Sequence, residues 1–139
     1  MNTERSLYIT QNDFEKLRGL IAGYKPRNEF EQDNLDMLVH DLERAHIVDP
    51  SDIPANVVTM NSKLYVRDID SMEEMMFTLV FPKDADLSKD KISVLAPIGS
   101  SVLGYKTGDI IQWKMPNRVR NLKIETVIYQ PEAAGNYSR

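Results

Sequence analysis

Four carboxylates in the first third of the chain are the side chains most able to take part in chemistry. Glu29, Glu31, Asp33 and Asp36 follow a break at Pro26 and fall in the opening turns of a predicted helix. Acidic side chains there complement the partial positive charge of a helix N-terminus, contributing about 0.3–1 kcal/mol each, and then face water. A carboxylate pair on a projecting tip can instead be presented to a metal ion held by another protein, for phosphoryl-transfer chemistry. The sequence favours the first interpretation and leaves the second open.

Other residues with catalytic potential lack the partners that catalysis needs. His40 and His46 are six positions apart, on different faces of a helix, which is the wrong spacing for a metal pair. Ser100 and Ser101 could be nucleophiles, but residues 51–139 contain no histidine base, so packing or capping roles are favoured. The chain has no cysteine and no hydrolase, Walker or dinucleotide-binding glycine motif. We therefore expect no enzyme activity, no metal and no cofactor.

Composition restricts the class of partner and the compartment. The 139 residues carry a formal net charge of −4, so the chain has no basic footprint for phosphate backbones and direct sequence-specific nucleic-acid binding is not expected. The first ten residues do not resemble a signal peptide, and no apolar run reaches the length of a membrane span. With no cysteine to form disulfides, these features lead us to expect a cytoplasmic protein without a membrane contact.

Apolar residues spaced three and four apart predict two helices before residue 48. Thr10 with Asp13 resembles a capping box at the start of the first helix, and Asn28 is a plausible cap for the second. The apolar stripes are Phe14, Leu17, Ile21 and Tyr24 in the first helix, and Leu35, Leu38, Leu42 and Ala45 in the second. Narrow stripes of this kind are typical of helices that pack against each other. Residues 1–48 are therefore predicted to form a short antiparallel helical hairpin, a coiled coil.

The remainder of the chain is predicted to be a compact, mainly β domain. Prolines within residues 49–55 cannot continue a helix and predict an elbow. Runs of β-branched and aromatic residues predict six short strands, at 57–59, 64–66, 77–81, 92–95, 110–113 and 122–129. Residues 97–104 begin with Pro and end with Gly, which is typical of one short helix. The prediction is an α+β protein with its second domain at residues 56–139 and a loosely held tail from Glu132.

Several separated motifs resemble one bacterial family. They are Asp49-Pro50-Ser51-Asp52-Ile53-Pro54, Val57-Val58-Thr59-Met60-Asn61-Ser62, Ala96-Pro97-Ile98-Gly99 and Tyr129-Gln130-Pro131-Glu132-Ala133-Ala134-Gly135. In this order they resemble the regulators of nucleoside diphosphate kinase. Residues 92–99, followed by Leu103-Gly104 and Gly108-Asp109, resemble the C-terminal domain of the Gre-type transcription elongation factor superfamily. The resemblance implies an FK506-binding-protein-like antiparallel sheet with one short helix for residues 56–139, and RNA polymerase as the partner.

The resemblance also implies a role for the loop that leads into the short helix. In Gre-type factors this loop grips a coiled coil at the rim of the polymerase secondary channel. Here it consists of Leu95, Ala96, Pro97, Ile98 and Gly99, hereafter the 95–99 loop. Gre factors can carry an acidic residue and a serine before the proline, whereas this chain has Leu95 and Ala96, which replace a polar contact by an apolar one. The alternative is that these residues only cap and pack the helix.

The predicted hairpin is shorter than the long coiled coil that Gre factors insert into the channel, where paired acids at the tip assist transcript cleavage. The resemblance therefore implies a regulator that competes with Gre-type factors without stimulating cleavage. Glu29, Glu31 and Asp33, hereafter the acidic tip, would then be a charged surface.

Two alternative functions remain. The first is a peptidyl-prolyl isomerase, because isomerases share the implied fold and aromatic residues such as Trp113, Phe77 and Phe81 could line a pocket. The second is a nucleotide-metabolism regulator that acts on nucleoside diphosphate kinase.

Overall fold

The computed structural model describes residues 7–136 and arranges them in three helices and seven strands. In chain order these are β1 (Tyr8–Thr10), α1 (Gln11–Gly23), α2 (Glu29–Arg44), β2 (His46–Val48), β3 (Lys63–Asp68), β4 (Glu74–Val80), β5 (Lys91–Ser93), α3 (Pro97–Val102), β6 (Ile110–Met115) and β7 (Arg118–Tyr129). Single 3-10 turns lie at Pro50–Asp52, Pro82–Asp84 and Leu87–Lys89. Within residues 7–136, none of the helices has the length and apolar character needed to cross a membrane.

Both predicted helices of the first part are present, with the predicted N-terminal caps. The Thr10 side chain accepts a hydrogen bond from the Asp13 amide at 3.1 Å, and Asn28 Oδ1 accepts one from the Glu31 amide at 2.9 Å. These bonds satisfy amides that the first turn of a helix cannot pair internally. The Asp13 carboxylate itself reaches further and accepts a hydrogen bond from the Met60 amide at 3.0 Å. Asp13 therefore links α1 to the second part of the chain.

Leucines of both helices are buried in the same core as the sheet. Leu17, Leu38 and Leu42 belong to one cluster of buried side chains together with Val58, Met60, Leu64, Val66, Phe77, Leu79, Ile98, Leu122 and Ile124. The two apolar stripes thus contribute to a core that the sheet completes, because burying them against more apolar surface removes more of it from water. The core is continuous across the predicted elbow at residues 49–55. The division into units at 1–48, 49–55 and 56–139 stays a prediction.

Two short strands, β1 before α1 and β2 after α2, pair in parallel. β1 pairs with β2 in the register Tyr8 to His46, Ile9 to Ile47 and Thr10 to Val48, and the Tyr8 and His46 rings stack with centroids 5.0 Å apart. The sequence analysis missed both strands. Three residues are too few to show an alternating pattern, and their pairing depends on a helical segment that returns the chain to its starting point.

The main sheet has five strands in the order β5-β4-β3-β7-β6. All neighbours are antiparallel except β5, which runs parallel to β4. Five of the six predicted strand runs overlap these strands, although the runs 77–81 and 92–95 extend one and two residues beyond β4 and β5, and the predicted short helix corresponds to α3. The run at 57–59 is buried but is not a strand, because Val57 makes only an isolated bridge to Lys106. Equivalence to the FK506-binding-protein fold stays an interpretation.

An ion-pair cluster braces the turn between β3 and β4. Arg120 Nε donates to Asp68 Oδ2 at 2.6 Å, and its Nη2 donates to Glu73 at 2.6 Å. The other Asp68 oxygen accepts hydrogen bonds from the amides of Asp70 and Ser71. Chiefly because of the Arg120 hydrogen bond, the pKa of Asp68 is lowered from 3.8 to about 2. The cluster therefore holds Asp68 in its charged form.

The prediction of a loose tail beginning at Glu132 is wrong at its first residue. Gln130 Nε2 donates to the carbonyls of Pro54 and Val57, each at 2.8 Å. Glu132 is 7 % exposed and accepts a hydrogen bond from the Thr59 hydroxyl at 2.8 Å. Composition alone indicated a solvated end, whereas these side chains bind the segment before β3. Residues 137–139 of the predicted tail lie outside the described residues.

Candidate functional site

The 95–99 loop is built by a turn that follows directly from β5. The Ser93 side chain accepts a hydrogen bond from the Leu95 amide at 3.0 Å, and the Ser93 carbonyl accepts one from the Ala96 amide at 3.0 Å. Pro97 occupies the first turn of α3, where its fixed φ suits the helix and its missing N–H costs nothing. Leu95, Ala96 and Pro97 are half-buried. The result is a short apolar edge that the backbone holds in one conformation.

The last two residues of the predicted loop face the core. Ile98 is 4 % exposed and belongs to the central apolar cluster. A Cβ added to Gly99 would stand 2.2 Å from the Ser93 carbonyl oxygen, so α3 lies directly on the backbone of β5. Neither residue can offer a side chain to a partner. Of the five predicted contact residues, Leu95, Ala96 and Pro97 keep part of their surface exposed, although Leu95 also packs against the central cluster, while Ile98 and Gly99 are buried and pack the helix, as the alternative interpretation holds.

The structure places α2 beside this loop. Asn34 Nδ2 donates to the Leu95 carbonyl at 3.1 Å, and the Ser100 hydroxyl donates to Asn34 Oδ1 at 2.9 Å. Next to these bonds is a cavity of about 290 Å³, lined on one side by residues of the α1–α2 connection and of α2, namely Tyr24, Arg27, Asn28, Phe30, Glu31 and Asn34, and on the other by Leu95, Ala96 and Pro97. The two regions that the sequence analysis singled out separately, the acidic tip and the 95–99 loop, therefore lie side by side.

The three carboxylates of the acidic tip are in different situations. Glu31 accepts hydrogen bonds from the Arg27 amide at 2.8 Å, from the Arg27 guanidinium at 3.0 Å and from the Tyr24 hydroxyl at 3.2 Å. The Arg27 side chain holds the pKa of Glu31 below its usual range. Glu31 thus closes the connection between α1 and α2. Glu29 and Asp33 are exposed near the start of α2 and face water, as the first interpretation predicted.

The remaining chemical candidates have structural partners or lie apart. Ser101 Oγ donates to the Ile98 carbonyl at 2.8 Å, and the single proton of the Ser100 hydroxyl is shared between Asn34 Oδ1 at 2.9 Å and the Pro97 carbonyl at 3.1 Å. His46 stacks on Tyr8 at the start of β2, whereas His40 lies on α2 in the wall of a second cavity, of about 500 Å³, between α2 and β6. Within residues 7–136, no group of three or more His, Cys, Asp or Glu side chains could hold a metal ion.

The aromatic residues proposed for an isomerase pocket are not gathered around one opening. Phe77 is among the largest fully buried side chains of the core. The Trp113 ring is covered by the Arg120 guanidinium, whose carbon lies 5.2 Å from the ring centroid. Phe81 lines a cavity between α1 and the Pro82–Asp84 turn, together with Lys16, Leu20 and Asn61. This arrangement gives the isomerase alternative no support.

Comparison with known proteins places the chain in a family. Residues 53–129 match the family model described as transcription elongation factor, GreA/GreB, C-terminal. This match covers more than half of the chain and includes every strand of the main sheet as well as α3. The chain belongs to the Gre-type transcription elongation factor superfamily.

Individual relatives agree with this assignment to the Gre superfamily. The regulator of nucleoside diphosphate kinase from Escherichia coli K12 is 41 % identical over 103 residues, which cover 73 % of this chain and 76 % of that protein. Transcription elongation factor GreA from Thermodesulfovibrio yellowstonii is 33 % identical over 76 % of this chain and 67 % of its own. These relatives are named as regulators and elongation factors.

Solved structures of this superfamily have the same fold. A GreA/GreB transcription elongation factor from Nitrosomonas europaea superposes with a TM-score of 0.74 at 41 % identity, covering 91 % of this chain and all of that one. The transcription factor Gfh1 gives a TM-score of 0.50 at 19 % identity over the same 91 % and likewise all of that chain, which shows a common fold only.

Sequence reasoning missed two long-range side-chain contacts, one of them at this site. Asn34 bonds the 95–99 loop, and Asp13 bonds the Met60 amide. The pattern offered no signal for Asn34, because it directly follows Glu31, Gln32 and Asp33 and such a polar run near the start of a helix is normally solvated. Asp13 was assigned a local capping role, and its spacing from Thr10 cannot reveal a partner 47 positions away.

Proposed function

We propose that this Gre-superfamily protein regulates transcription by binding RNA polymerase at the rim of the secondary channel, where it competes with Gre-type factors without stimulating transcript cleavage. Membership of a superfamily of transcription elongation factors supports the process. The polymerase and the docking site come from the resemblance of the 95–99 loop to the Gre docking loop.

The observation that carries the proposal is the accessible apolar edge formed by Leu95, Ala96 and Pro97. Two bonds to Ser93 and the proline ring fix its backbone, so little conformational entropy remains to be lost when a partner binds. Apolar surface of this kind gains free energy when an apolar side chain of a partner covers it. Ile98 and Gly99 help to fix the position of this edge, because they pack α3 against the sheet.

The length and position of the hairpin support the absence of cleavage activity. Helix α1 has 13 residues and α2 has 16, which correspond to about 20 Å and 24 Å at roughly 1.5 Å per residue. The connection between them lies beside the 95–99 loop, so the acidic tip cannot extend far from the proposed docking edge. Glu31 is moreover engaged by Arg27 and Tyr24. Glu29 and Asp33 then act as surface charges only.

A binding measurement with purified core RNA polymerase tests the docking proposal. Ala96→Arg places a bulky charge on the accessible edge and is expected to weaken binding at least tenfold, which corresponds to roughly 1.4 kcal/mol. Met72→Arg is the matched control, because Met72 is 57 % exposed and lies far from the loop along β4. It precedes the first residue of β4, whereas Ser93 pairs with Val80, the last residue of that strand. No detectable binding of the unsubstituted protein would refute the docking proposal, and so would equal binding of the two variants.

A transcript-cleavage assay on backtracked elongation complexes tests the second half of the proposal. The protein alone is expected to leave the transcript intact, and in excess it is expected to slow the cleavage that an added Gre factor stimulates. Cleavage stimulated by the protein itself and lost in a Glu29→Ala, Asp33→Ala double variant would show instead that the acidic tip assists the polymerase active site.

The name of one relative favours a second effect, on nucleoside diphosphate kinase. We propose that any such effect is indirect and follows from changed transcription. Kinase activity measured with purified kinase and this protein, without polymerase, is expected to remain unchanged. A concentration-dependent rise or fall in that activity would establish a direct interaction and would make the kinase a partner in its own right.

A further inference from the structure

Asn34 is the one side chain of α1 and α2 whose described hydrogen bonds reach both ends of the segment 96–99. Its Nδ2 donates to the Leu95 carbonyl, before the segment, at 3.1 Å. Its Oδ1 accepts from the Ser100 hydroxyl, after the segment, at 2.9 Å. Because the amide uses its donor on one side and its acceptor on the other, its orientation is fixed by the two partners. The pair of bonds fastens the start of α3 to α2.

Helix α2 is itself held firmly, so it can impose a position on the loop. Leu38 and Leu42 anchor it in the central core, one and two turns after Asn34. At its end, the Arg44 guanidinium donates to the Tyr105 hydroxyl at 2.9 Å, just beyond α3. Helix α1 is tied to the same body through the Asp13 carboxylate and the Met60 amide. Helix α2, held by these contacts, is therefore a fixed support along one side of α3, and α1 is attached to the same core.

We propose that the hairpin acts as a splint for the 95–99 loop, which means that it fixes the backbone of the loop in the conformation that binds the partner. Asn34 is the positioning residue that makes this connection. This inference rests on the proposed function, since it assumes that the loop binds RNA polymerase. A loop held in its bound conformation loses less entropy on association, so affinity rises without any contact between Asn34 and the partner. The hairpin then has a purpose in a protein whose acidic tip does not assist cleavage.

The opposite role is also testable from the same geometry. The hairpin lies against Leu95, Ala96 and Pro97 and leaves them half-buried, so it could instead obstruct the loop until it moves away. If the hairpin is a splint, loss of the Asn34 side chain weakens the binding of RNA polymerase. If the hairpin is an obstruction, the same loss strengthens that binding. The fixed anchoring of α2 by Leu38, Leu42 and Arg44 favours the splint, because a hairpin that must leave would have to break the core.

The experiment compares three variants of the full chain in binding to core RNA polymerase. Asn34→Ala removes both hydrogen bonds. Asn34→Asp keeps an acceptor for Ser100 but cannot donate to Leu95, and it brings an anionic oxygen towards a carbonyl. Gln32→Ala is the matched control, since Gln32 is an exposed amide on the same helix that bonds only Asp36 among the described contacts. Amide hydrogen exchange at Leu95 and Ala96 reports the order of the loop, and melting curves confirm that each variant is folded at the assay temperature.

For both Asn34 variants we expect about tenfold weaker binding, with faster exchange at Leu95 and Ala96, while Gln32→Ala matches the unsubstituted protein. Unchanged affinity of folded Asn34→Ala would overturn the splint, and tighter binding would show that the hairpin obstructs the loop. In both cases docking by the loop stands if Ala96→Arg still weakens binding at least tenfold. If the unsubstituted protein does not bind polymerase, the proposed function itself fails, and faster loop exchange in Asn34→Ala alone would not rescue it.

Discussion

Replacing Gly99 by alanine gives the sharpest test of how α3 is seated on the sheet. The added Cβ would stand 2.2 Å from the Ser93 carbonyl oxygen and 3.1 Å from Leu79 Cδ1. The nearest obstacle is backbone, which cannot rotate away as a side chain can, so α3 must move away from β5 by roughly 1 Å. Overpacking of this kind costs typically 1–3 kcal/mol, and we expect about 3 kcal/mol here because backbone meets Cβ.

The expected loss is large enough to measure by thermal unfolding. At about 2.1 cal/mol/K per residue, a 139-residue chain has an unfolding entropy of roughly 0.3 kcal/mol/K. A loss of about 3 kcal/mol therefore lowers Tm by about 10 °C. Differential scanning calorimetry gives both Tm and the enthalpy of unfolding, and circular dichroism at 20 °C shows whether the variant is folded before heating.

The same substitution elsewhere in the chain provides the control. Gly19 lies in the middle of α1, and a Cβ added there meets nothing within 4 Å. Gly19→Ala is expected to stabilise the protein by about 0.8–1 kcal/mol, since alanine is the better helix former, and to raise Tm by about 3 °C. The two variants should thus shift Tm in opposite directions. A Tm for Gly99→Ala within 2 °C of the unsubstituted protein would refute the close approach of α3 to β5.

Asp68 has a pKa of about 2 in the folded protein against an ordinary value of 3.8, so its contribution to stability is complete above pH 4 and is lost as the pH falls towards 2. In acid titrations followed by circular dichroism, Arg120→Met should reduce this pH dependence, and an unchanged profile would contradict the Arg120 assignment. Glu132→Ala removes the carboxylate that accepts a hydrogen bond from the buried Thr59 hydroxyl, which then has only Ser62 Oγ within hydrogen-bond distance, and should cost about 1–3 kcal/mol in urea unfolding. The exposed Ala133→Gly change should cost less than half as much, and equal losses would mean that the Glu132 carboxylate does not hold the tail.

Much of the fold could be predicted because its signals are local. The Thr10 and Asn28 caps each bond an amide three residues further on, so residue type and spacing reveal them. The start of α3 follows from Pro97, and five strand runs show β-branched and aromatic composition. The family could likewise be recognised, because motifs in a fixed order along the chain carry that information without any coordinates.

The errors in prediction share a different cause. The segment 57–59 has the composition of a strand, but its hydrogen-bonding neighbours are Tyr105 and the Gln130 side chain. Neither belongs to a strand with which the segment could form a regular series of backbone hydrogen bonds. The parallel pair β1–β2 and the buried Glu132 depend in the same way on distant segments. Composition describes what a segment tolerates, whereas its partners are set when the core forms.

The sequence by itself determined the helices, most strands, the superfamily and the position of the 95–99 loop. Only the tertiary structure decided that Ile98 and Gly99 face the core, that Glu31 is occupied by Arg27, and that the hairpin lies beside the loop. The Asn34–Leu95 bond joins residues 61 positions apart. Contacts over three or four residues follow from backbone geometry, but one over such a separation exists only because the apolar faces of α2 and the sheet bury each other, which no local pattern encodes.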